Sequence, residues 1–368
     1  MKPMTRVPIA VPQHPYEAWI EDGLLAQAGT HLREILPGQK RLFVVTVAPL
    51  RRKWGRKLLA SLEAAGFQAS AIEMRDGETY KKLSTIDGLA EKLAKQGADR
   101  NAAILAFGGG VVGDVAGLLA SLYMRGIDVI QVPTTILAQL DASIGGKTGV
   151  NLRAGKNLLG TFHQPRAVLI DPAVLSTLPD REFRSGLYEA LKCGVIGNPD
   201  LFRQFEQNKD KILKRDPASL ERIITDAVEL KASLVSADER ESGLRRVLNF
   251  GHTIGHALEA ETGYRKLLHG EAVAWGMIAA TNIALSVGRT DSATAGRIAD
   301  AVLGMGRLPQ VEVSSRKILT RLQTDKKTRN GVVHFILPRE VGKVEVVDGI
   351  PEAVVIQAVD ELRRLSRK

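Results

Sequence analysis

The stretch NAAILAFGGGVVGDVAG, residues 101–117, turns from an apolar run into glycines and then into a helical pattern. Residues 101–107 predict a buried strand, and Gly108, Gly110 and Gly113 have the spacing G-x-G-x-x-G. Such glycines let backbone amides approach a pyrophosphate, which the positive end of the following helix also favours. A tight turn with close helix packing would use the same glycines, so both interpretations stay open.

The surroundings of this loop differ from those of the standard dinucleotide-binding motif. The loop follows about the third predicted strand, whereas the standard motif follows the first. Asp128, the acid about 20 residues further on, begins a strand, whereas a ribose-binding acid lies at the carboxyl end of a strand. The loop therefore favours a nucleotide pyrophosphate site of non-standard topology.

Outward from the loop, short β-branched runs alternate with helical stretches over the first 171 residues. The other predicted strands are 41–47, 68–74, 128–135 and 167–171, and helices are predicted at 57–66 and 85–97. Strands that alternate with helices indicate a mostly parallel sheet that is covered on both faces.

From about Pro172 the pattern changes to apolar residues at three- and four-residue spacing, which is typical of helices. The predicted elements are helices at 181–196, 217–236, 250–262, 270–287 and 292–304, a strand pair in 332–347 and a helix at 352–365. The sequence therefore predicts the α/β fold class and two domains. An α/β domain with a mostly parallel sheet spans residues 1–172, and a mostly α-helical domain spans residues 173–368.

Length and composition limit the class of protein. The 368 residues suffice for two hydrophobic cores, and 44% hydrophobic with 25% charged residues is typical of a soluble globular protein. No apolar run approaches the ~20 residues that span a bilayer, and the first residues lack the apolar core of a signal peptide. Cys193 is the single cysteine, so no internal disulfide can form, as suits a reducing compartment. We therefore expect a cytoplasmic protein with no membrane partner.

The net charge of +10 indicates anionic ligands. Nucleic acid is one candidate, but Lys and Arg are dispersed, aromatic residues make up only 5%, and no recognition module is evident. The densest basic cluster, residues 51–57, has the pattern of a solvated helix face. We therefore expect small phosphates and carboxylates as ligands, and no nucleic acid.

Residues 131–165 form the densest polar stretch of the first domain. Thr134 and Thr135 end a predicted strand, which is where open parallel sheets contact ligands. Among the glycines of this stretch lie Lys147, Lys156 and Asn157. Lysines on glycine-rich loops can act as flexible point charges for a phosphate. Phosphate or nucleotide contact is therefore favoured over the alternative, a solvated loop.

Three of the seven histidines fall within residues 248–277. His252 and His256 are four residues apart, so a helix would place both on one face, which is a common zinc geometry. A third ligand would come from His269 or Glu189, because catalytic zinc commonly takes three protein ligands and leaves one position open. Core or capping histidines remain the alternative.

Further polar residues accompany these histidines on the predicted helices. Glu189 and Lys192 are three residues apart and hence neighbours on one helix. Arg245, Asn249 and His252 are expected on or near one helical face. This grouping indicates a cleft that could hold an anionic substrate beside a metal.

Seven motifs occur together in the chain: GGGVVGD, VPTT, GGKTGVN, GKN, SGLYEALKCG, ERESGLRRVLNFGHTIGHALE and HGEAV. In this order and combination they resemble the 3-dehydroquinate synthase family, and the similarity extends from about residue 40 to about residue 345. The resemblance implies a Rossmann-like N-terminal domain that binds NAD. It also implies a mostly helical domain that holds the substrate and a divalent metal, zinc or cobalt, and a homodimer.

The resemblance also implies a set of site residues. The family's metal ligands fall on Glu189, His252 and His269, and His256 handles the substrate phosphate and a proton. The carboxylate and hydroxyls of the substrate fall to Lys231, Arg245 and Asn249. Other active-site positions are Asp141, Lys147, Lys156, Asn157 and Lys192, with Arg125 reaching phosphate from the partner of the dimer and Lys326 or Lys327 also reaching phosphate. Nucleotide contacts fall to Asp76, Glu78, Lys81, Gly109, Gly110, Gly113, Asp114, Thr134, Thr135, Lys147, Lys156 and Thr177.

What the resemblance implies about activity is a lyase of the shikimate pathway, which leads to chorismate and the aromatic amino acids. Such an enzyme converts 3-deoxy-D-arabino-heptulosonate 7-phosphate into 3-dehydroquinate and phosphate. The expected steps are transient oxidation by NAD, phosphate elimination, re-reduction and intramolecular aldol closure. Related sugar-phosphate cyclases and metal-dependent polyol dehydrogenases are the alternatives. Lys231, Arg245 and Asn249 favour a substrate that bears a carboxylate.

Two parts of the chain depart from the family's pattern. The exit of the strand at 41–47, VVTVAPLRRKW, lacks the Asp or Asn that the family has near the adenosine ribose. Tyr188 and Cys193 stand where the family commonly has other residues, and we interpret both as packing changes.

Overall fold

The computed structural model describes residues 4–12, 14–39, 41–241, 243–324 and 332–367. Contacts divide the chain into two compact units. The first unit comprises Met1–Leu178 and Leu220–Glu239, and the second comprises Pro179–Ser219 and Arg240–Lys368. The predicted domain boundary at residue 172 stays a prediction. The two compact units differ from the predicted domains, because most of the helix Pro217–Ala237 belongs to the first unit.

The elements predicted from the sequence are all present, with boundaries shifted by a few residues. The strands are β1 Thr5–Ile9, β2 Tyr16–Ile20, β3 Arg41–Val47, β4 Gln68–Met74, β5 Ala103–Gly108, β6 Asp128–Pro133, β7 Val150–Leu152, β8 Gly155–Leu159, β9 Ala167–Ile170, β10 Phe335–Glu340 and β11 Lys343–Val347. The helices are α1 Ala28–Ile35, α2 Ala48–Leu50, α3 Arg56–Ala64, α4 Leu83–Lys95, α5 Gly110–Leu122, α6 Asp180–Gly197, α7 Pro199–Gln207, α8 Lys209–Leu213, α9 Pro217–Ala237, α10 His252–Glu261, α11 His269–Ser286, α12 Ser292–Leu303, α13 Ser315–Thr324 and α14 Glu352–Leu365.

A seven-stranded sheet forms the centre of the first unit, in the order β1-β2-β9-β6-β5-β3-β4. β1 pairs with β2 antiparallel, and the other pairs are parallel. The predicted α/β class with a mostly parallel sheet is therefore confirmed. The parallel strands end at one edge of the sheet, which is where such sheets bind ligands.

Strand β3 shows why the sheet is buried on both faces. Alternate side chains point to opposite faces of a strand, so Phe43 and Val45 join the core under α4 and α5, whereas Leu42 and Val44 join the core under α1 and α3. Each fully buried aliphatic or aromatic side chain contributes about 1.5–3 kcal/mol. The nearly continuous apolar sequence of β3 is thus the sequence of a strand with two covered faces.

β1, β2 and the small hairpin of β7 and β8 were not predicted from the sequence. β1 and β2 have only five residues each, and Pro8 interrupts the β-branched pattern of β1. The glycine loop consequently follows β5 in the chain, and the placement after about the third strand was wrong.

The helices of the second unit approach one another unusually closely at glycines. A Cβ on Gly276 would lie 1.8 Å from the carbonyl oxygen of Gly251, and a Cβ on Gly270 would lie 1.8 Å from that of Ser185. Helix α11 therefore packs backbone to backbone against both α10 and α6. Within the described ranges, none of the helices combines the length and the apolarity that crossing a bilayer would require.

Candidate functional site

Three imidazoles come together where α10 and α11 begin. His252 is the first residue of α10, His256 lies one turn later, and His269 is the first residue of α11. The ring centroid of His252 lies 5.1 Å from that of His256 and 5.2 Å from that of His269. One ring nitrogen from each of the three lies within 4.8 Å of the others. The expected shared face of His252 and His256 is confirmed.

Glu189 of α6 completes this group, which we call the imidazole cluster: Glu189, His252, His256 and His269. Its side chain is 0% exposed. Oε1 of Glu189 lies 3.8 Å from Nε2 of His252 and 3.7 Å from Nε2 of His269. The expected helical neighbour Lys192 donates to the other oxygen, Oε2, at 2.5 Å.

Oε1 of Glu189 is buried and has no hydrogen-bond partner among the residues that the structure describes. Leaving a buried polar atom unsatisfied costs about 1–3 kcal/mol, and more for a charged group. Ligands that lie about 2.0–2.2 Å from one zinc ion can be separated by up to roughly 4 Å. The distances from Oε1 to the two Nε2 atoms fit that range, so this donor set suits a divalent cation.

The second nitrogens of two of these rings have partners that orient them. Nδ1 of His252 lies 3.2 Å from the carbonyl oxygen of Phe250, and Nδ1 of His269 lies 3.2 Å from Oε2 of Glu259. Because both partners are oxygens that accept, each Nδ1 carries the hydrogen, and Nε2 is left as the atom for a metal. Burial lowers the pKa of His269, but the hydrogen bond to Glu259 and the charge of Glu189 outweigh it, so the pKa lies above the ordinary 6.5.

Arg245 and Asn249 do not share one helical face with His252, so that expectation was wrong. Both lie on the 3-10 helix Leu244–Asn249, and α10 begins only after Gly251, whose φ of 80° breaks the helix. Arg245 is nevertheless almost completely buried. The amide of Asn249 donates to Oε1 of Glu241 at 2.8 Å.

In the first unit, the glycine loop connects β5 to α5 as expected, and Gly109 caps the helix without a side-chain hydrogen bond. A Cβ on Gly108 would lie 2.4 Å from Cβ of Val112, and one on Gly113 would lie 2.9 Å from Oε1 of Gln131. Packing therefore requires a glycine at position 108, whereas at position 113 the flexible end of Gln131 could move aside. A Cβ on Gly110 would meet its nearest neighbour only at 3.3 Å. The amides of the first turn therefore remain the part of the loop that suits a pyrophosphate.

A chain of polar contacts lies beside this helix, and we call it the lysine network: Glu78, Lys81, Asp114, Asn151 and Asn157. Nζ of the buried Lys81 donates to Oδ2 of Asp114 and, at 2.5 Å, to Oδ1 of Asn157. The backbone N–H of Asn157 donates to Oδ1 of Asn151 at 2.9 Å, and the amide of Asn151 donates to Oε1 of Glu78 at 2.7 Å. Burial raises the pKa of Asp114 above the ordinary 3.8, and the charge of Lys81 offsets this only in part.

Asn151 was missed by the sequence analysis, although it joins two residues that were predicted. It belongs to β7, and Asn157, on β8, has a left-handed φ of 55°. Asn151 ends the motif GGKTGVN and Asn157 ends GKN, and these two neighbouring asparagines are the only signal in the sequence that could have indicated this pairing.

The other expected nucleotide residues of the first unit lie at the ends of strands. Asp76 lines a cavity of about 500 Å³ with Ala48, Pro49, Tyr80 and other residues at the exits of β3 and β4. Thr134 and Thr135 directly follow β6. Oγ1 of Thr177 accepts a hydrogen bond from Nε1 of Trp54 at 2.8 Å, a contact that the sequence did not indicate.

The remaining expected residues are placed as follows. Lys231 of α9 is buried and donates to both the carbonyl and Oδ1 of Asp141. Lys147 forms an isolated bridge with Phe162, and Lys156 lies on β8. Arg125 is exposed, with a left-handed φ of 70°. Lys326 and Lys327 lie outside the described residues.

Two family models together match residues 71–328 of this chain. A model described as 3-dehydroquinate synthase N-terminal matches residues 71–185, and one described as 3-dehydroquinate synthase C-terminal matches residues 186–328. A 3-dehydroquinate synthase from Koribacter versatilis is 57% identical over 363 residues, which cover 99% of each chain.

Two solved structures resemble the whole chain. ValA, a 2-epi-5-epi-valiolone synthase from Streptomyces hygroscopicus with NAD⁺ and Zn²⁺ bound, has a TM-score of 0.86 at 30% identity and covers 97% of this chain and 99% of its own. A 2-deoxy-scyllo-inosose synthase in complex with carbaglucose-6-phosphate, NAD⁺ and Co²⁺ has a TM-score of 0.85 at 27% identity, with the same coverage. Both resemble this chain in its α/β unit and in its helical unit.

Proposed function

The chain belongs to the 3-dehydroquinate synthase family, and from that membership we propose that it converts 3-deoxy-D-arabino-heptulosonate 7-phosphate into 3-dehydroquinate and phosphate. It is then a carbon–oxygen lyase of the shikimate pathway that uses NAD and zinc or cobalt. The observation that carries this proposal is Oε1 of Glu189, which is buried, has no hydrogen-bond partner in the described part of the chain and faces two Nε2 atoms.

Glu189, His252 and His269 are proposed to hold the metal. Each offers an atom that is directed at the same point, and the Nδ1 contacts of the two histidines leave Nε2 for the ion. When bound, a divalent metal supplies a Lewis acid for a substrate oxygen. His256 is proposed to act on the substrate phosphate and a proton, and Lys192 keeps the Glu189 carboxylate in place through its bond to Oε2.

The first unit is proposed to bind NAD, which when bound accepts the substrate's hydride and later returns it. The first-turn amides of α5 suit its pyrophosphate. The residues proposed to contact it are Asp76, Glu78, Lys81, Gly109, Gly110, Gly113, Asp114, Thr134, Thr135, Lys147, Lys156 and Thr177. Lys81 supports this role because its ammonium is fixed between Asp114 and Asn157 at the side of that helix.

Anionic groups of the substrate are proposed to bind to cations that the fold buries. Arg245 is a buried guanidinium, which makes strong charge-assisted bonds to carboxylates. Asn249 is proposed to bind substrate hydroxyls, and Lys231 is proposed to contact the substrate while Asp141 orients its ammonium. The further proposed active-site residues are Lys147, Lys156, Asn157 and Lys192. A carboxylate-bearing substrate distinguishes this proposal from the related cyclases.

We further propose a homodimer to which Arg125 contributes. The support is a set of exposed apolar side chains at the end of α5, on the hairpin of β7 and β8 and just after each: Leu122, Met124, Leu152, Leu158 and Phe162. A bond of 2.9 Å between Oγ1 of Thr161 and Oγ of Ser121 joins the segment after β8 to α5, so these side chains lie on neighbouring elements. Large exposed apolar patches mark protein interfaces. The single buried cysteine is compatible with the proposed cytoplasmic location.

Phosphate release tests this function directly. The full-length protein, loaded with zinc or cobalt and NAD, is expected to release phosphate and form 3-dehydroquinate from the heptulosonate phosphate. A chelator should stop the reaction, and added metal should restore it. Faster release from a sugar phosphate that lacks a carboxylate would favour a related cyclase, and no release from either would contradict the proposal.

A further inference from the structure

Glu259 is a buried carboxylate that belongs neither to the proposed metal ligands nor to the proposed substrate and NAD contacts. It lies on α10, two turns after His252, and only 4% of the residue is exposed. Isolated buried carboxylates are costly, so its position requires an explanation. Its Oε2 lies 3.2 Å from Nδ1 of His269.

The two nitrogens of His269 therefore face two different carboxylates. Nδ1 faces Oε2 of Glu259, and Nε2 faces Oε1 of Glu189 at 3.7 Å. An ionised carboxylate only accepts hydrogen bonds. A hydrogen on Nδ1 that is donated to Glu259 leaves the lone pair of Nε2 directed toward Glu189, which is the tautomer a metal at that point requires.

The backbone of His269 is fixed by other contacts, so the orientation of its ring is what Glu259 can add. The N–H of Gly270 donates to Oγ of Ser185 at 3.1 Å, and the N–H of Leu268 donates to Oε2 of Glu271 at 2.8 Å. These contacts hold the first turn of α11 but do not touch the imidazole.

His252 provides a comparison inside the same cluster. Its Nδ1 faces a backbone carbonyl, that of Phe250, at 3.2 Å. The two histidines thus use the same nitrogen for orientation but different kinds of acceptor. A side-chain substitution can remove the acceptor of His269, whereas it cannot remove that of His252.

We propose that Glu259 is a positioning residue for the metal site: it fixes the tautomer and the ring orientation of His269 and does not touch the ion. The inference rests on the proposed metal site of Glu189, His252 and His269. Removal of such an outer hydrogen-bond partner typically weakens metal affinity about 10- to 100-fold.

The test measures the zinc affinity of the full-length protein by competition with a chromophoric chelator. Glu259→Met removes the acceptor, and it is expected to weaken zinc binding about 10- to 100-fold. Glu259→Gln keeps an oxygen that can accept from Nδ1, so its loss should be smaller. Glu261→Gln is the matched control on the same helix, because Glu261 pairs with Arg321 at the surface. Its affinity should stay unchanged.

A second readout is the visible absorption spectrum of the cobalt-loaded protein, which reports the ligand geometry. Glu259→Met should shift this spectrum and Glu261→Gln should not. If Glu259→Met fails to fold, both measurements are made on Glu259→Gln. This variant is then expected to show a shifted cobalt spectrum and a measurable loss of zinc affinity. Unchanged affinity and spectrum in a folded Glu259 variant would overturn the role of Glu259. A loss as complete as that of His269→Ala would overturn it too, because Glu259 would then be a ligand.

The variant His269→Ala tests the metal site separately from the role of Glu259. If the unsubstituted protein binds zinc and His269→Ala loses it, the metal site stands, and the Glu259 variants alone decide the inference. If His269→Ala keeps the zinc affinity of the unsubstituted protein, the metal site itself is wrong, and the role of Glu259 falls with it.

Discussion

The imidazole cluster and the lysine network differ in how far the described chain itself supplies hydrogen-bond partners for their polar atoms. In the imidazole cluster, Oε1 of Glu189 is left without a partner in the described structure, although two ring nitrogens face it. In the lysine network, Lys81 already bonds to Asp114 and Asn157, and Asn151 links that pair to Glu78. The first arrangement needs a cation to become satisfied, whereas the second is satisfied by the chain itself.

This difference separates a site that is completed by its ligand from one that is built before its ligand arrives. Substitutions in the imidazole cluster should therefore act mainly on metal content and turnover. Substitutions in the lysine network should act mainly on the stability of the first unit and on nucleotide affinity.

The largest expected effect is that of His252→Ala. Loss of a ligand should remove the metal, and turnover should fall about a thousandfold or more, because a Lewis acid contributes several kcal/mol and each 1.4 kcal/mol is about tenfold in rate. Metal content and phosphate release measure the two losses. Stoichiometric metal and full turnover in this variant would refute His252 as a ligand.

Lys81→Met should lower the free energy of unfolding and leave the metal content unchanged. Asp114, whose side chain is 21% exposed, would lose the cation of the buried Lys81, and a charged group left without its partner in this part-buried position should cost about 2–3 kcal/mol. Urea unfolding measures the change, and NAD affinity should fall as well. Lys82→Met is the control, because Lys82 is the exposed neighbour. Equal losses of stability and of NAD affinity in Lys81→Met and Lys82→Met would mean that the contacts of Lys81 contribute no more than an exposed lysine does.

Arg245→Ala should weaken substrate binding by about 1.5–3 kcal/mol, the contribution of a hydrogen bond to a charged group. The metal content should stay unchanged, since Arg245 is not one of the proposed ligands. Steady-state kinetics with the heptulosonate phosphate measures the effect. An unchanged Michaelis constant together with an unchanged turnover would count against contact with the carboxylate.

Asn151→Ala should have a smaller effect, about 0.5–1.5 kcal/mol in total, because both hydrogen bonds that it removes are exposed to solvent, including the one to the carboxylate of Glu78. The variant removes the bonds to Asn157 and Glu78. We expect a lower free energy of unfolding and a few-fold weaker NAD binding, with the metal affinity unaltered. Calorimetric titration with NAD checks this, and unaltered NAD binding would remove Asn151 from the network's function.

The smallest expected effect is a pH dependence at Asp114. Its pKa is raised in the folded protein, chiefly by burial. A raised carboxyl pKa contributes stability that is present below the unfolded value of 3.8 and lost as the pH rises through the folded value. Relative to Asp114→Asn, the protein should therefore lose stability as the pH rises across that window. A gain with rising pH would contradict the direction.

Periodicity in the sequence was enough to predict most of the fold. The apolar run of β3 and the three- and four-residue spacing of Ile86, Leu89 and Leu93 in α4 each reflect burial that a single element shows by itself. β1 and β2 gave no such signal, because strands of five residues are too short to show a clear period and Pro8 also interrupts β1.

The site could be predicted only where spacing along one helix determines contact. The pairs His252 with His256 and Glu189 with Lys192 are of this kind. Glu189 and His269 lie on other helices than His252, so the sequence alone made them only candidates for a third ligand, and the family's motifs assigned both as ligands. Glu259 and Asn151 were missed, because their partners are fixed by the packing of separate elements and no local pattern shows it.

The central claim is that a carboxylate and two imidazoles, and not three imidazoles, hold the metal. The most direct test is the zinc content per chain of Glu189→Gln and His256→Ala, each compared with the unsubstituted protein after equilibration with limiting free zinc. We predict that Glu189→Gln loses its zinc and that His256→Ala keeps it. Retention of zinc by Glu189→Gln together with its loss from His256→Ala would contradict the account.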